Sequence, residues 1–169
     1  VRLVGSEMCI RDSENLERRK FETFEALKSE IGNELGISPW HTVDQEQINT
    51  FAEATGDHQW IHVDVDRAIK ESPYGAPIAH GHLTLSLVPM LISNTIEYLP
   101  RTAGINYGLD KVRFMAPVKA GKRVRGRVSL RSAERTNETT VKVLYSTVVE
   151  IEGEEKPACV AESIALYLN

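Results

Sequence analysis

Between His80 and Leu99 the chain runs HGHLTLSLVPMLISNTIEYL, its longest apolar stretch, and no other segment constrains the fold as strongly. Leu83, Leu87, Val88, Met90, Leu91, Ile92, Ile96 and Leu99 fit i, i+3, i+4 steps, while Leu85 and Tyr98 fall off that stripe. A helix apolar on nearly every side has to be wrapped by other structure rather than laid on a surface. About twenty helical residues span roughly 30 Å, which is also the length of a bilayer crossing. Glu97, Asn94, Ser93, Ser86, Thr84 and two histidines argue against a membrane span. The run is therefore read as a central helix, His80 to Leu99, closed by Pro100 and enclosed by a sheet.

The residues after Pro100 supply the sheet. Ile105–Val118 is rich in β-formers but interrupted by Gly108, the mark of a bulge or a close backbone approach. Lys122–Arg131 alternates Val124, Gly126, Val128 and Leu130 with Arg123, Arg125, Arg127, Ser129 and Arg131. A second alternation places Val141, Val143, Tyr145, Thr147, Val149 and Ile151 on one face, and Pro157–Leu168 reads as the last strand. Short turns at Thr136–Glu138 and Glu152–Glu154 join these three strands into an antiparallel meander. Helices followed by a long antiparallel sheet give the α+β class.

Upstream, Val1–Ser13 has no clean periodicity and resembles translated adapter sequence; it is expected to be a non-native or disordered extension. Residues 14–36 read as an amphipathic outer helix, with Phe24, Leu27, Ile31 and Leu35 at helical spacing and Gly36 as the stop. Residues 37–169 form the single domain. Within it, Trp40–Val43 is a short strand, and Asp44 with Gln47 has capping-box spacing for a helix that Gly56 ends. Asp57 to His62 reads as non-helical, Asp64 caps a short helix through Glu71, and Ser72–Pro77 is a loop.

With 169 residues the chain is one domain large enough for a real core, and its 26% charged residues suit a soluble globular protein. A formal charge of −4 gives no reason to expect nucleic acid or an anionic membrane as partner. Cys9 and Cys159 lie far apart with no metal-ligand spacing, which reads as two free thiols in a reducing cytoplasm. No signal-peptide pattern opens the chain, so a cytoplasmic location is expected.

Four of the five histidines lie between Asp57 and His82, around DHQWIHVD and the His80-Gly81-His82 entry to the apolar run. A helix start offers unpaired N–H groups suited to a developing oxyanion, and Gly81 has no side chain to keep a carbonyl away. An acid–base pair beside such a site is what addition of water to an activated double bond requires. Asp57 and His62 are the natural pair. Asp57 follows the C-terminal end of a helix, whose partial negative charge should raise its basicity. His58 and His62 have metal-ligand spacing only if helical, and Gly56 and Trp60-Ile61 argue against that; no metal is expected.

At these residues the chain resembles a family. Asp57-x4-His62, then Pro77-Ile-Ala-His-Gly81 leading into a long helix, is similar to the MaoC-like (R)-specific enoyl-CoA hydratases of the hot-dog fold. The wording GDHQWIHVD, IAHGHLTLSL and NYGLDKVRFMAPV resembles the single-domain branch with mycobacterial (3R)-hydroxyacyl-CoA hydratases and nodulation-protein-N-like proteins, from Leu35 to the C-terminus. The resemblance implies a long helix wrapped by an antiparallel sheet, a homodimer, and reversible hydration of trans-2-enoyl-CoA to (3R)-3-hydroxyacyl-CoA. It implies Asp57 and His62 as holders of the catalytic water and Gly81 as the oxyanion donor. Coenzyme A enters as part of the acyl-CoA substrate, with no separate cofactor. Where the family commonly has Asn and Pro, this chain has Gln59 and Trp60, which puts pocket size in question.

Around that trio, Gln59, Trp60, His80, Tyr107 and Arg113 are the candidate substrate contacts. His80 has the alternative of bonding a loop carbonyl, Trp60 and Tyr107 that of plain core, and Arg113 and the 123–131 arginine face that of a solvated surface. Ser86 has no base at motif spacing. A hot-dog thioesterase and a non-catalytic acyl-CoA-binding protein are the competing readings.

Overall fold

The computed structural model describes residues 17–169. The expectation for Val1–Ser13 lies outside the described residues. The chain forms β1 (Arg19–Phe21), α1 (Phe24–Lys28), β2 (Glu34–Ile37), β3 (His41–Thr42), α2 (Gln45–Thr55), α3 (Trp60–Val63) and α4 (Val65–Glu71). There follow α5 (Gly81–Ser86), α6 (Val88–Thr95), β4 (Ile96–Tyr98), β5 (Ala103–Phe114), β6 (Arg123–Asn137), β7 (Thr140–Ile151) and β8 (Cys159–Leu168). The main sheet runs β2-β6-β7-β8-β5, with β3 also on β6, and every pairing in it is antiparallel. With helices enclosed by this sheet, the molecule is an α+β hot-dog fold.

The meander β6–β7–β8 is the one the alternation announced. Val124, Val128 and Leu130 of β6 and Val141, Val143, Tyr145, Thr147, Val149 and Ile151 of β7 are all buried. On the opposite face three of the four arginines are paired: Arg125 and Arg127 both reach Glu150, at 2.8 and 2.9 Å, Arg127 also reaches Glu34, and Arg123 pairs with Glu152, while Arg131 is exposed. That face is a cross-strand ion-pair ladder, the surface alternative to a phosphate site. Strand β5 lies beside β8, so the chain crosses the sheet before starting β6. Register shifts flank Asn106/Gly108 and Leu109/Lys111, and Gly108 is part of a bulge as its sequence position suggests.

The central helix is shorter and less regular than the apolar run predicts. It comes as α5 and α6 joined through Leu87 (φ −77°, ψ −19°), and ends at Thr95 rather than Leu99. Pro89 has no N–H to give to the turn before it, so the ladder is interrupted there. Ile96–Tyr98 leave the helix to pair in parallel with β1. A similar correction applies to the N-terminal helix expected over 14–36: among the described residues it is helical only over Phe24–Lys28. Gly32 (φ +91°) turns the chain four residues before Gly36, its N–H donates to Leu130 O at 2.8 Å, and Leu35 enters β2. Phe24 and Leu27 are buried as that helix required, but Ile31 is 41% exposed.

No helix among the described residues is long and apolar enough to cross a membrane. The β5–β6 connection is stitched to the segment before α5: Ala79 N–H donates to Val118 O at 2.7 Å and Ala120 N–H to Pro77 O at 2.9 Å. Helix α6 lies close on the sheet because β6 offers Gly126 at the crossing; a Cβ there would sit 2.9 Å from Leu91 Cβ. Leu91 itself is fully buried. Gly126→Ala is therefore expected to destabilise by about 1–3 kcal/mol. Leu91→Ala should not rescue it, since the clashing atom is the Cβ that alanine keeps. A double-mutant cycle in denaturant measures both.

Candidate functional site

Two caps place the first half of the site. Asp44 accepts from Gln47 N–H at 2.8 Å to start α2, and Gly56 (φ +78°) ends it in the left-handed conformation that suits glycine. The chain then turns at Asp57, which is exposed and accepts a long contact, 3.4 Å, from the backbone N–H of Gln59. The non-helical reading of Asp57–His62 holds only to Gln59, because Trp60–Val63 form one helical turn, α3. That turn carries His62 inward to 8% exposure. Asp64 then caps α4 through Arg67 N–H at 3.1 Å, as the sequence indicated.

His62 Nδ1 lies 2.7 Å from Ile78 O. A carbonyl only accepts, so Nδ1 carries the proton and the neutral ring presents an unprotonated Nε2. Further bonds hold its backbone: Gln45 Nε2 donates to His62 O at 2.8 Å, and Ile78 N–H donates to Ile61 O at 3.1 Å. Burial lowers the His62 pKa most; the Ile78 carbonyl opposes that, the nearby His80 ring lowers it further, and the Asp57 charge raises it. The balance lies below the ordinary imidazole value, so the ring is a neutral acceptor at physiological pH.

His80, at the mouth of α5, is almost wholly buried, and its Nε2–H donates to Asp57 O at 2.9 Å. Its ring stacks on His62 with centroids 3.9 Å apart and touches Phe51 at 5.0 Å. Its Nδ1 is buried without a partner among the described residues. Asp57, His62 and His80 each bring one donor atom to within 4.8 Å of the others. Three such donors are the minimum of a metal site. His62 Nδ1 and His80 Nε2 are already bonded to the carbonyls of Ile78 and Asp57, so one nitrogen of each ring remains for a further partner. His58 stands apart, 3.6 Å from Glu53, so the His58–His62 pairing considered for a metal is not formed.

Gly81 is the first residue of α5, where a backbone N–H has no partner within the helix. The space beside it differs from the open approach expected: a Cβ there would meet the Phe114 ring at 3.0 Å. Phe114 also meets His82 in a T-shaped contact at 5.6 Å, and His82 is otherwise exposed.

The other candidates divide. Tyr107 lines a cavity between the central helix and β5. Trp60 does not; its ring lies under the Arg67 guanidinium at 4.3 Å. Gln59 meets Asp57 through its backbone, not its amide side chain. Arg113 is exposed and folds back on Val112 O, away from the histidines. Ser86 donates to His82 O at 2.7 Å, a bond within its own helix. The lone described cysteine, Cys159, is buried and its thiol pushed up to about 11, which leaves it inert. Sequence reading passed over Gln45 and the Ile78 carbonyl, whose roles depend on the fold bringing them to His62.

A family model described as MaoC like domain matches residues 26–151. The chain belongs to the MaoC-like family. It is 50% identical over 150 residues to 3-hydroxyacyl-thioester dehydratase Z of Mycobacterium tuberculosis, covering 89% of this chain and 99% of that one. It is 48% identical over 141 residues to Nodulation protein N of Rhizobium meliloti, covering 83% and 88%. The structure of the (R)-hydratase from A. caviae involved in PHA biosynthesis superposes with a TM-score of 0.62 at 24% identity, over 82% of this chain and 98% of that one, which speaks for the shared fold. Family membership makes the MaoC-like chain an enzyme of the hydratase/dehydratase class.

The tie between His80 and the Asp57 carbonyl has a measurable weight. His80→Ala should cost about 1–3 kcal/mol, since it removes a donor from the Asp57 carbonyl and opens a void beside His62 and Phe51. His80→Gln, which keeps a donor, should cost less; thermal melts of the two variants make the comparison.

Proposed function

We propose that this MaoC-like protein reversibly hydrates trans-2-enoyl-CoA to (3R)-3-hydroxyacyl-CoA. The observation that carries the reading is the convergence of Asp57, His62 and His80 within 4.8 Å at the start of the central helix, with Nε2 of His62 left free to accept. The 3-hydroxyacyl-thioester dehydratase relative supports the substrate class.

Water lies between the Asp57 carboxylate and His62 Nε2. Its oxygen bonds the β-carbon, its proton passes to the pair, and the pair returns a proton to the α-carbon; the reverse is dehydration. Asp57 is the base and His62 the proton partner at the α-carbon. The Gly81 N–H receives the charge that develops on the thioester oxygen. Substrate entry on that side requires the Phe114 ring to yield, and Phe114 is half-exposed on an edge strand and free to do so. Coenzyme A comes with the substrate and no other cofactor is called for. The free edge of β5, with Ile105, Tyr107 and Leu109 exposed, supports a homodimer, and we assign the protein to the cytoplasm. A hot-dog thioesterase would turn the same water on the thioester carbon and is separated by release of free thiol; a serine hydrolase is disfavoured because Ser86 is engaged within its helix, and a purely binding role because the Asp57–His62 pair is intact.

Purified protein should consume crotonyl-CoA by loss of enoyl-thioester absorbance without releasing free thiol. Asp57→Asn and His62→Gln should each lower kcat by about 10²–10⁴-fold, and Ser86→Ala should leave it unchanged. Equal rates in all of these would remove the pair from the mechanism. The acidic limb of kcat/KM should fall below the usual imidazole value of 6.5, because activity is lost only as falling pH protonates Nε2. In Asp57→Asn the residual limb should move lower still, since the charge that raises the His62 pKa is gone.

A further inference from the structure

A cavity of about 550 Å³ lies between the central helix and strands β5 and β8. Its helical wall contains Leu85, Pro89 and Ile92, which continue from Gly81 in steps of four, four and three residues, and Ile96 of β4 extends it. The helical residues thus form one stripe on the helix face that begins at the Gly81 amide. Leu85 is about 6 Å along the axis from Gly81 and Ile92 about 16 Å. Gly81 is not itself in the lining, and the cavity begins one turn further on at Leu85, so a thioester whose carbonyl sits at Gly81 reaches it once its acyl chain passes the Phe114 ring. Leu85, which fell off the buried stripe of the sequence pattern, has its place here.

The far end is not built for a plain hydrocarbon. Tyr167 donates to the Tyr145 hydroxyl at 3.0 Å, and Tyr98 stacks on Tyr167 with centroids 5.6 Å apart. That single bond leaves the Tyr145 proton without an acceptor among the described residues, and the buried Tyr98 hydroxyl has no partner either. Burial keeps Tyr145 and Tyr167 in their neutral, proton-bearing forms. Arg101 places its guanidinium 5.0 Å from the centre of the Tyr167 ring, at the exposed rim of the same cavity. No carboxylate pairs with Arg101 among the described residues. A free cation at the rim beside phenol donors is complementary to a carboxylate, and at the rim that charge need not be buried unpaired.

We propose that the cavity seats the acyl chain and that Arg101, with Tyr167 and Tyr145, selects chains ending in a carboxylate. This rests on the hydration reading above and names the substrate class for it: the CoA thioesters of 2-enedioic acids, long enough to run from Gly81 to Arg101.

The test compares kcat/KM for plain trans-2-enoyl-CoA thioesters and their ω-carboxylated counterparts, stepped in length from crotonyl-CoA to hexadecenoyl-CoA. Wild type, Arg101→Gln and Tyr167→Phe are measured. The proposal expects about a tenfold or greater preference for the carboxylated chain, confined to the longer members and lost in Arg101→Gln, with crotonyl-CoA turnover unchanged. Equal rates for plain and carboxylated chains at every length overturn it, as does a preference that survives Arg101→Gln. So does loss of activity on every chain longer than crotonyl, which would mean that a second copy fills the cavity. Should crotonyl-CoA not be hydrated at all, the hydration reading fails by itself. Calorimetric binding of saturated dodecanoyl-CoA and its ω-carboxylated analogue to wild type and Arg101→Gln then decides the cavity separately: tighter, Arg101-dependent binding of the carboxylated form upholds it and equal binding ends it.

Discussion

The close approach of α6 to the sheet at Leu91 and Gly126 is the constraint on which the remaining geometry depends. A side chain at 126 would lift the helix, and the start of the helix carries His80 and Gly81. Because protein interiors are close-packed, a displacement of α6 presses on α5 through the junction at Leu87. The distance between the imidazole at the helix mouth and the one on α3 is thus set partly by a glycine on the opposite side of the helix. Apolar burial supplies the force, since Leu83, Val88 and Leu91 on one side and Val124, Val128, Val143 and Val149 on the other are all withdrawn from water.

Much of this was legible in the chain, and the misses have physical causes. Period-two alternation through Val124–Leu130 and Val141–Ile151 named the buried face of the sheet, because a strand gives each residue only two directions. The Asp44 and Asp64 caps were readable because an N-cap is a local interaction. Helix ends that depend on distant partners were not. Gly36 was read as the stop, but the chain turns earlier, at Gly32, whose N–H is taken by Leu130 O far downstream. Ile96–Tyr98 read as helix until β1 is there to pair with them. Tertiary context overrides propensity at just such places.

At the site, sequence supplied the cast and the fold supplied the tautomers. Asp57, His62 and His80 were all identifiable from spacing around the helix start. That His62 is protonated on Nδ1, and His80 on Nε2, comes from the carbonyls of Ile78 and Asp57 that face them. Neither carbonyl leaves any trace in side-chain chemistry, so no motif could have announced it. The same holds for Phe114, whose ring stands where the missing Gly81 side chain would be. Glycine there has a packing reason alongside the chemical one, and the two are compatible because an edge-strand aromatic can give way.

The stitch between residues 77–79 and 118–120 bears on how the molecule comes to be. Ile78, whose carbonyl orients His62, is itself held in place by the connection that leads into β6. The half of the chain that contains the acid–base groups therefore has no fixed site until the half that contains the sheet has closed over it. Contacts of such large sequence separation cost loop entropy before they return any stabilisation, and they form late. On the ribosome, the polypeptide would emerge with every reactive side chain already made and none of them organised. Catalytic competence arrives only with the last strands.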